Sequence, residues 1–313
     1  MPRVGLMLIG VDWGTTRLRA YLIGADGWPV ARKDSDDGLL NVKDGDFAGV
    51  LERTVGPWRE DAPEDTPVLL SGMVGSRQGW VEAPYVGVPA TAEALAAHCA
   101  TVETPLGLVR IVPGVAIGQT VPRGGLARGD VMRADVMRGE ETEVMGALEA
   151  LGGDAGTFVL PGTHSKWVTV EGGAITDFST YMTGEIFAAM KNHTILGKMM
   201  SRDEADREAY LGGVARGLAL GPGGELMSAL FGVRVEGLMG RLREASAASY
   251  LSGLLIGAEV GAASRGASSV TIVAAAALAE RYARALEVAG VEARAAPPDT
   301  AARGLAKIAA ALS

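Results

Sequence analysis

Two short stretches set hydroxyls, glycines and charge where the backbone turns. In VDWGTTRLR, Asp12 precedes Gly14, Thr15 and Thr16. In VLPGTHSKWVTV, Gly162 and Thr163 precede His164, Ser165 and Lys166. The second stretch invites a hydrolase reading, with serine, histidine and a cation side by side. A serine nucleophile normally needs a GxSxG elbow leading into a helix. Ser165 leads into a β pattern instead, where His164 and Ser165 would point to opposite faces. A phosphate-binding turn with Thr163, Ser165 and Lys166 as donors is the better reading; a plain turn with an exposed lysine is the alternative. In the first stretch, glycine lets the backbone approach a ligand. The hydroxyls and backbone N–H groups suit phosphate oxygens, and the Asp12 carboxylate suits Mg²⁺ held through water. No GxxxxGK[ST] loop occurs in the chain, and Gly14 opens a hairpin rather than a dinucleotide-binding helix. A polar β-turn is the plain alternative here too.

Two further clusters carry chemistry. DVMRADVMRGEET repeats DVMR at Asp130 and Asp135 and gathers Glu140, Glu141, Arg133 and Arg138. An alcohol kinase needs a carboxylate beside the hydroxyl as base and carboxylate help for Mg²⁺. A solvated charged loop is the competing reading. SGMVGSRQGWVEAPY follows a buried strand, and strand ends carry ligand loops in α/β folds. There Ser76 and Arg77 suit an anionic group, and Trp80 suits a sugar face or the core. His98 and His193 read as structural or surface residues. Three scattered histidines make a zinc site a poor fit.

These residues need strands and turns to hold them. LMLIGVDWG is apolar and ends in Gly14, RLRAYLIGADG alternates over 17–23, and WPVARKDS reads as a partner strand. Helix follows near 47–58, a buried strand at PVLLS, a helix over TAEALAAHCATV, and a strand at LVRIV ended by Pro113-Gly114. The Gly/Arg-rich 118–134 reads as a loop, and GEETEVMGALEAL as a helix with acidic residues in its first turn. GTFVLPGT, KWVTVEGG and AITDFSTYMT then repeat the opening order of strand, Gly-Thr, strand, glycine turn and strand. That echo suggests two related domains facing one another across a cleft, although any two β-meanders look alike. Helices follow Met182. VTIVAAAALAERYARAL passes from strand into helix, and the last helix follows a Pro-Pro turn.

Composition bounds the classes. The chain has 313 residues, 44 of them glycine, and is 48% hydrophobic, which allows two domains and excludes a disordered chain. A net charge of −8 argues against a general nucleic-acid binder while leaving room for a small anionic substrate. Cys99 is the one cysteine, so no internal disulfide forms, and a reducing cytoplasm fits. The N-terminal run lacks a signal-peptide pattern, and the Ala-rich run near 273–279 is too short to span a bilayer. The Met- and Leu-rich helices over 195–240 read as core or as a homodimer interface.

Together, VDWGTTRLRAYL, SGMVGSRQGWVEAPYV, IVPGV, DVMRGEETEVMGAL, LPGTHSKWV, FSTYMTGEIFAAM and YLSGLLIGAEV resemble the 2-dehydro-3-deoxygalactonokinase family over nearly the whole chain. That family is a sugar-kinase branch of the actin/Hsp70 ATPase superfamily. The resemblance implies an α/β fold of two ribonuclease-H-like domains with a central cleft, divided as 1–134 and 135–313. The first domain would hold the substrate and first phosphate motifs, the second domain the second phosphate and adenosine motifs. It implies ATP-dependent phosphorylation of the 6-hydroxyl of 2-dehydro-3-deoxy-D-galactonate, with ATP and Mg²⁺ as cofactors. Asp12, Gly14, Thr15 and Thr16 match the first phosphate motif; Gly162, Thr163, His164 and Ser165 match the second. The adenosine-motif junction carries Ala274 to Ala277 where the superfamily usually has glycine. By position the catalytic base is Glu140, and by residue type Asp135, which is the choice made from sequence. Arg77 and Arg138 are the expected partners of the substrate carboxylate. A kinase for another sugar acid, such as the gluconate epimer, or a non-catalytic nucleotide sensor are the alternatives.

Overall fold

The computed structural model describes residues 6–63, 65–118, 133–200, 204–221 and 225–312. The chain opens with strands β1 (Leu6–Trp13), β2 (Leu18–Gly24) and β3 (Pro29–Ser35), then helix α1 (Phe47–Asp61) and β4 (Val68–Ser71). Strand β5 (Tyr85–Gly87), helix α2 (Ala92–Ala97), and strands β6 (Ala100–Thr104), β7 (Gly107–Ile111), β8 (Gly114–Ile117) and β9 (Asp135–Met137) follow. Helix α3 (Glu140–Leu151) leads to a second meander, β10 (Gly156–Leu160), β11 (Ser165–Glu171) and β12 (Ala174–Tyr181). Helices α4 (Thr183–His193), α5 (Arg207–Leu218), α6 (Glu225–Leu238) and α7 (Ala247–Ala263) come next. The chain ends with β13 (Ser269–Ile272), α8 (Ala276–Val288), β14 (Glu292–Ala295) and α9 (Thr300–Ala309).

The strand orders repeat. One sheet runs β3-β2-β1-β4-β7-β6 and another β12-β11-β10-β13-β14, beside a small sheet β5-β8-β9. In the first, β1–β3 form an antiparallel meander and the chain then adds β4 parallel to β1. In the second, β13 is likewise added parallel to β10. This order, found twice, bears out the echo seen in the sequence and is the ribonuclease-H-like α/β architecture that the resemblance implies.

Contacts divide the chain into two compact units. The first comprises Met1–Gly156, Val168–Phe178 and Ala296–Ser313; the second comprises Thr157–Trp167 and Ser179–Ala295. Helices α3 and α9 therefore belong to the first unit, a grouping that differs from the sequence boundary at 134/135. Within that unit, alternation along β1 sorts its side chains. Ile9, Val11 and Trp13 pack with Val50, Leu51 and Val55 of α1. Gly10 points the other way, beneath Leu305 of α9, and Asp12 shares its face. In the second unit Val159, Trp167, Val260, Ile272 and Tyr282 build a separate core.

Some local expectations change. The helix read over 91–102 stops at Ala97, and β6 begins at Ala100, because Thr101 and Val102 favour a strand. His98 and Cys99 thus follow the helix. The strand that ended at Pro113-Gly114 resumes as β8. Asp135 lies on β9 and not in a loop, paired opposite Ile117. Most of the loop read over 118–134, including Asp130, lies outside the described residues. Helix α6 is core and surface at once: Ala229, Leu230 and Val233 are buried, whereas Met227, Phe231 and Leu238 are exposed. Among the described residues no helix is long and apolar enough to cross a membrane.

Helices α3 and α9 meet backbone to backbone. A β-carbon on Gly146 would lie 1.8 Å from the Thr300 carbonyl oxygen, and one on Gly304 would lie 1.8 Å from that of Thr142. Gly146→Ala should therefore destabilise the protein by about 3 kcal/mol through overpacking. A urea midpoint close to wild type would refute the tight crossing.

Candidate active site

The first site element is the β1–β2 hairpin. Antiparallel register places Asp12 opposite Arg19, and Arg19 Nη1 donates to Asp12 Oδ2 at 3.2 Å. The same guanidinium lies 3.9 Å from Glu143 Oε1 of α3, so one cation serves two carboxylates. Burial raises the Asp12 pKa, opposed by Arg19 and Arg32. Burial, then the charges of Asp12 and Glu140, pushes Glu143 up to about 8. At the hairpin tip Thr15 and Thr16 are exposed. The Gly14 and Thr15 carbonyls accept from the Leu39 and Leu40 amides. The tip is thereby anchored through its acceptors while its hydroxyls face outward.

The second element is the turn that opens α3. Arg138 N–H donates to Glu140 Oε2 at 2.9 Å, and Gly139 N–H donates to both Glu141 carboxylate oxygens at 2.9 and 2.8 Å. Gly139 has φ +105°, a left-handed conformation suited to glycine. A β-carbon there would lie 3.1 Å from the Gly72 Cα. Gly72 follows β4, and a β-carbon on it would lie 3.3 Å from Asp12 Oδ1. Two glycines thus bring the α3 turn and the β4 end up to Asp12. Glu141 is fully buried; burial, then the Glu140 charge, pushes it up to about 7. Asp135 accepts from the Val136 amide at 2.8 Å.

The third element is the 72–85 loop. Ser76 is buried and its Oγ has no partner, as is true of Ser71 Oγ at the end of β4. Arg77 is 84% exposed, with Glu82 at 3.6 Å. Trp80 stacks on Phe47 with ring centroids 6.2 Å apart, so part of its surface belongs to the core. Arg138 points inward and is 8% exposed, unlike the solvent-facing Arg77.

In the second unit, the PGTHSKW stretch is the loop from β10 into β11. Gly162, Thr163 and His164 are exposed, and His164 Nε2 meets Glu185 Oε2 at 2.6 Å. The Glu185 amide donates to the Thr163 carbonyl at 3.0 Å, and Gly184 packs on Gly162. Ser165 is buried and hydrogen-bonds Tyr282 at 2.9 Å. Tyr282 donates to Glu259, which also accepts from Trp167 at 2.8 Å and from Thr183. The Ser165 side chain thus faces the core. Lys166 is 7% exposed and donates to Thr180 Oγ1 at 2.7 Å, so the exposed-lysine alternative does not describe it. Burial raises the Glu259 pKa against the pull of its hydrogen-bond donors. The Ala274–Ala277 stretch spans the β13–α8 junction, with Ala275 as the residue before the helix.

Sequence reasoning missed Arg19 and Glu143. Arg19 was countable: a four-residue hairpin tip from Gly14 to Arg17 puts Trp13 opposite Leu18 and Asp12 opposite Arg19. Glu143 stands three residues after Glu140, one helical turn on and on the same face. Its importance depends on where α3 packs, which spacing alone does not reveal.

The family model for 2-keto-3-deoxy-galactonokinase matches residues 12–308. The chain is 35% identical over 296 residues to the 2-dehydro-3-deoxygalactonokinase of Escherichia coli (strain K12), covering 94% of each protein. It is 36% identical over 302 residues to a Rhizobium meliloti (strain 1021) protein provisionally given the same name, covering 94% of this chain and 93% of that one. A crystal structure from Sinorhizobium meliloti, also provisionally named so, superposes with a TM-score of 0.82 at 34% identity over 97% of each chain.

Glu141 gives a pH signature. Its folded pKa, about 7, lies above the ordinary value of 4.5. Between the two, the folded state holds a proton that the unfolded state has lost, so this contribution to stability fades as pH rises from 4.5 through 7. The melting temperature of wild type minus that of Glu141→Gln should therefore decrease between pH 5 and pH 8. A constant difference would show that the buried carboxyl does not titrate there.

Proposed function

The chain belongs to the 2-keto-3-deoxy-galactonokinase family, and from that premise we propose how its residues phosphorylate 2-dehydro-3-deoxy-D-galactonate with ATP in galactonate breakdown. The observation that carries the residue assignment is Asp12 at the end of β1, joined through Arg19 to Glu143 of α3. The 6-hydroxyl oxygen attacks the γ-phosphorus, the bond from that phosphorus to the β–γ bridging oxygen breaks, and ADP leaves. The hydroxyl proton passes to a carboxylate.

Glu140 is the better placed base. Its charge is felt by Glu143 and Glu141, so it lies with the carboxylates around Asp12. Its carboxylate is half-buried and is held in place by the Arg138 amide. Asp135, the choice made from sequence, remains the comparison. Ser76, Arg77 and Trp80 form the sugar-acid face, with exposed Arg77 as the cation for the substrate carboxylate. Gly14, Thr15 and Thr16 in one loop, and Gly162, Thr163 and His164 in the other, are phosphate-binding backbone and hydroxyl groups for ATP. Ser165 and Lys166 support their loop from beneath.

The donor set fits a hydrated divalent cation. Asp12 supplies a hard carboxylate oxygen, and the missing β-carbon of Gly72 leaves space beside Oδ1. Bound there with ATP, Mg²⁺ would neutralise phosphate charge. Arg19 holds the Asp12 carboxylate in orientation.

A coupled ADP-release assay with the galactonate and gluconate keto-deoxy acids tests the reading, and turnover on the galactonate acid is expected. Glu140→Gln should lower kcat by roughly 100-fold or more, with Asp135→Asn near wild type; the opposite pattern moves the base to Asp135. Arg77→Ala should raise KM for the sugar acid about tenfold while KM for ATP holds. Equal rises in both would remove Arg77 from the substrate face.

A further inference from the structure

Arg138 is an unusual cation. Only 8% of it is exposed, yet no carboxylate pairs with its guanidinium within salt-bridge distance among the described residues. Nη2 donates to the Ala83 carbonyl at 2.8 Å and approaches that of Pro84 at 3.4 Å. The guanidinium carbon sits 4.3 Å from the centroid of the Tyr85 ring. Nη1 lies against Gly75, where a β-carbon would be 3.1 Å away, and Nε and Nη1 have no partner. Leaving such donors unmet in the interior costs about 1–3 kcal/mol, so its contribution to stability alone is a poor account of the residue.

Its connections supply a better one. Gly75, Ala83, Pro84 and Tyr85 all belong to the loop that carries Ser76, Arg77 and Trp80. The Ala83 amide in turn donates to the Gly75 carbonyl at 2.9 Å, closing the base of that loop. At the other end of the residue, the Arg138 amide holds Glu140 and the next amide holds Glu141. One residue therefore grips the sugar-acid loop with its side chain and the Glu140 carboxylate with its backbone amide. Lysine would keep the charge but lose the planar face over Tyr85 and the fork toward Ala83 and Pro84.

We propose that Arg138 is a positioning residue, not a ligand of the substrate carboxylate: it fixes the 72–85 loop relative to Glu140, and hence the accepting hydroxyl relative to its base. This rests on the kinase reading above. A small shift between hydroxyl and base lowers turnover while leaving both substrates bound.

The test is steady-state kinetics on the full-length protein with ATP and 2-dehydro-3-deoxy-D-galactonate, for wild type, Arg138→Ala, Arg138→Lys and Tyr85→Leu. Arg138→Ala should lose roughly 100-fold in kcat while both KM values stay within about threefold. Low-millimolar guanidinium should restore part of that loss, and should not restore Arg138→Lys. Tyr85→Leu removes the ring but keeps the cation, and should lower kcat in the same sense; it also carries the test where the alanine variant fails to fold. A rise in sugar-acid KM with kcat unchanged would make Arg138 a substrate ligand and overturn the proposal. So would wild-type kcat in the variants. Absence of turnover by wild type on either acid would overturn the kinase reading, and this inference with it.

Discussion

The contact on which the site depends is the crossing of α3 over α9. At Gly146 and Gly304 the two backbones approach so closely that no side chain fits between them. Helix α9 in turn lies on β1, with Leu305 against Gly10. This chain of contacts fixes α3 relative to β1, the strand that carries Asp12. Glu140, Glu141 and Glu143 open α3, so their carboxylates inherit its position. The crossing has a long reach in sequence, since α9 is the last helix described and Asp12 lies in the first strand. The C-terminal helix thereby takes part in placing residues that chemistry assigns to the opposite end of the chain.

Three carboxylates in the first turn of α3, with Glu143 sharing Arg19 with Asp12, would repel one another if all were ionised. The structure limits this in two ways. Arg19 stands between Asp12 and Glu143 and attracts both. Burial raises the affinity of Glu141 and Glu143 for a proton, so the crowding is relieved by protonation as well as by pairing. Glu140 differs from Glu141 in exposure: it is half-buried and accepts the Arg138 amide, whereas Glu141 is fully buried and accepts from Gly139. Neighbouring glutamates of one short motif thus have different chemistry, set by which way each faces.

Much of this was legible in the residues. Gly-Thr turns after apolar strands, repeated in order, pointed to two meanders of the same kind, and the strand orders agree. The hairpin at Asp12 could be placed because Gly14 and the alternation of 17–23 define both flanks. The short strands were harder. The helix expected over 91–102 runs into Ala100–Thr104 because an alanine-rich stretch precedes that strand, and Asp135–Met137 gives no strand signal because three residues carry no measurable period. The inward path of Arg138 was unreadable from spacing, since it depends on Tyr85 and Gly75, more than 50 positions earlier.

The two echoing hairpins also diverge in a way that topology does not dictate. In the first, the charged residue before the turn, Asp12, meets a cation across the strands and remains partly open to solvent. In the second, the chain carries Leu160 at the corresponding strand end, and its polar side chains turn inward. Ser165 joins Tyr282 and Glu259, while Lys166 joins Thr180. The first hairpin thus presents a carboxylate and hydroxyls, suited to a metal–phosphate group. The second presents the backbone and hydroxyl of Gly162 and Thr163 over a rigid buried network. For VLPGTHSKWVTV, the apparent hydrolytic trio is therefore divided by strand alternation: His164 goes to the surface and Glu185, Ser165 to the core, and Lys166 to the neighbouring strand. Residues adjacent in sequence serve different layers of the fold, and their adjacency reflects the turn that precedes β11.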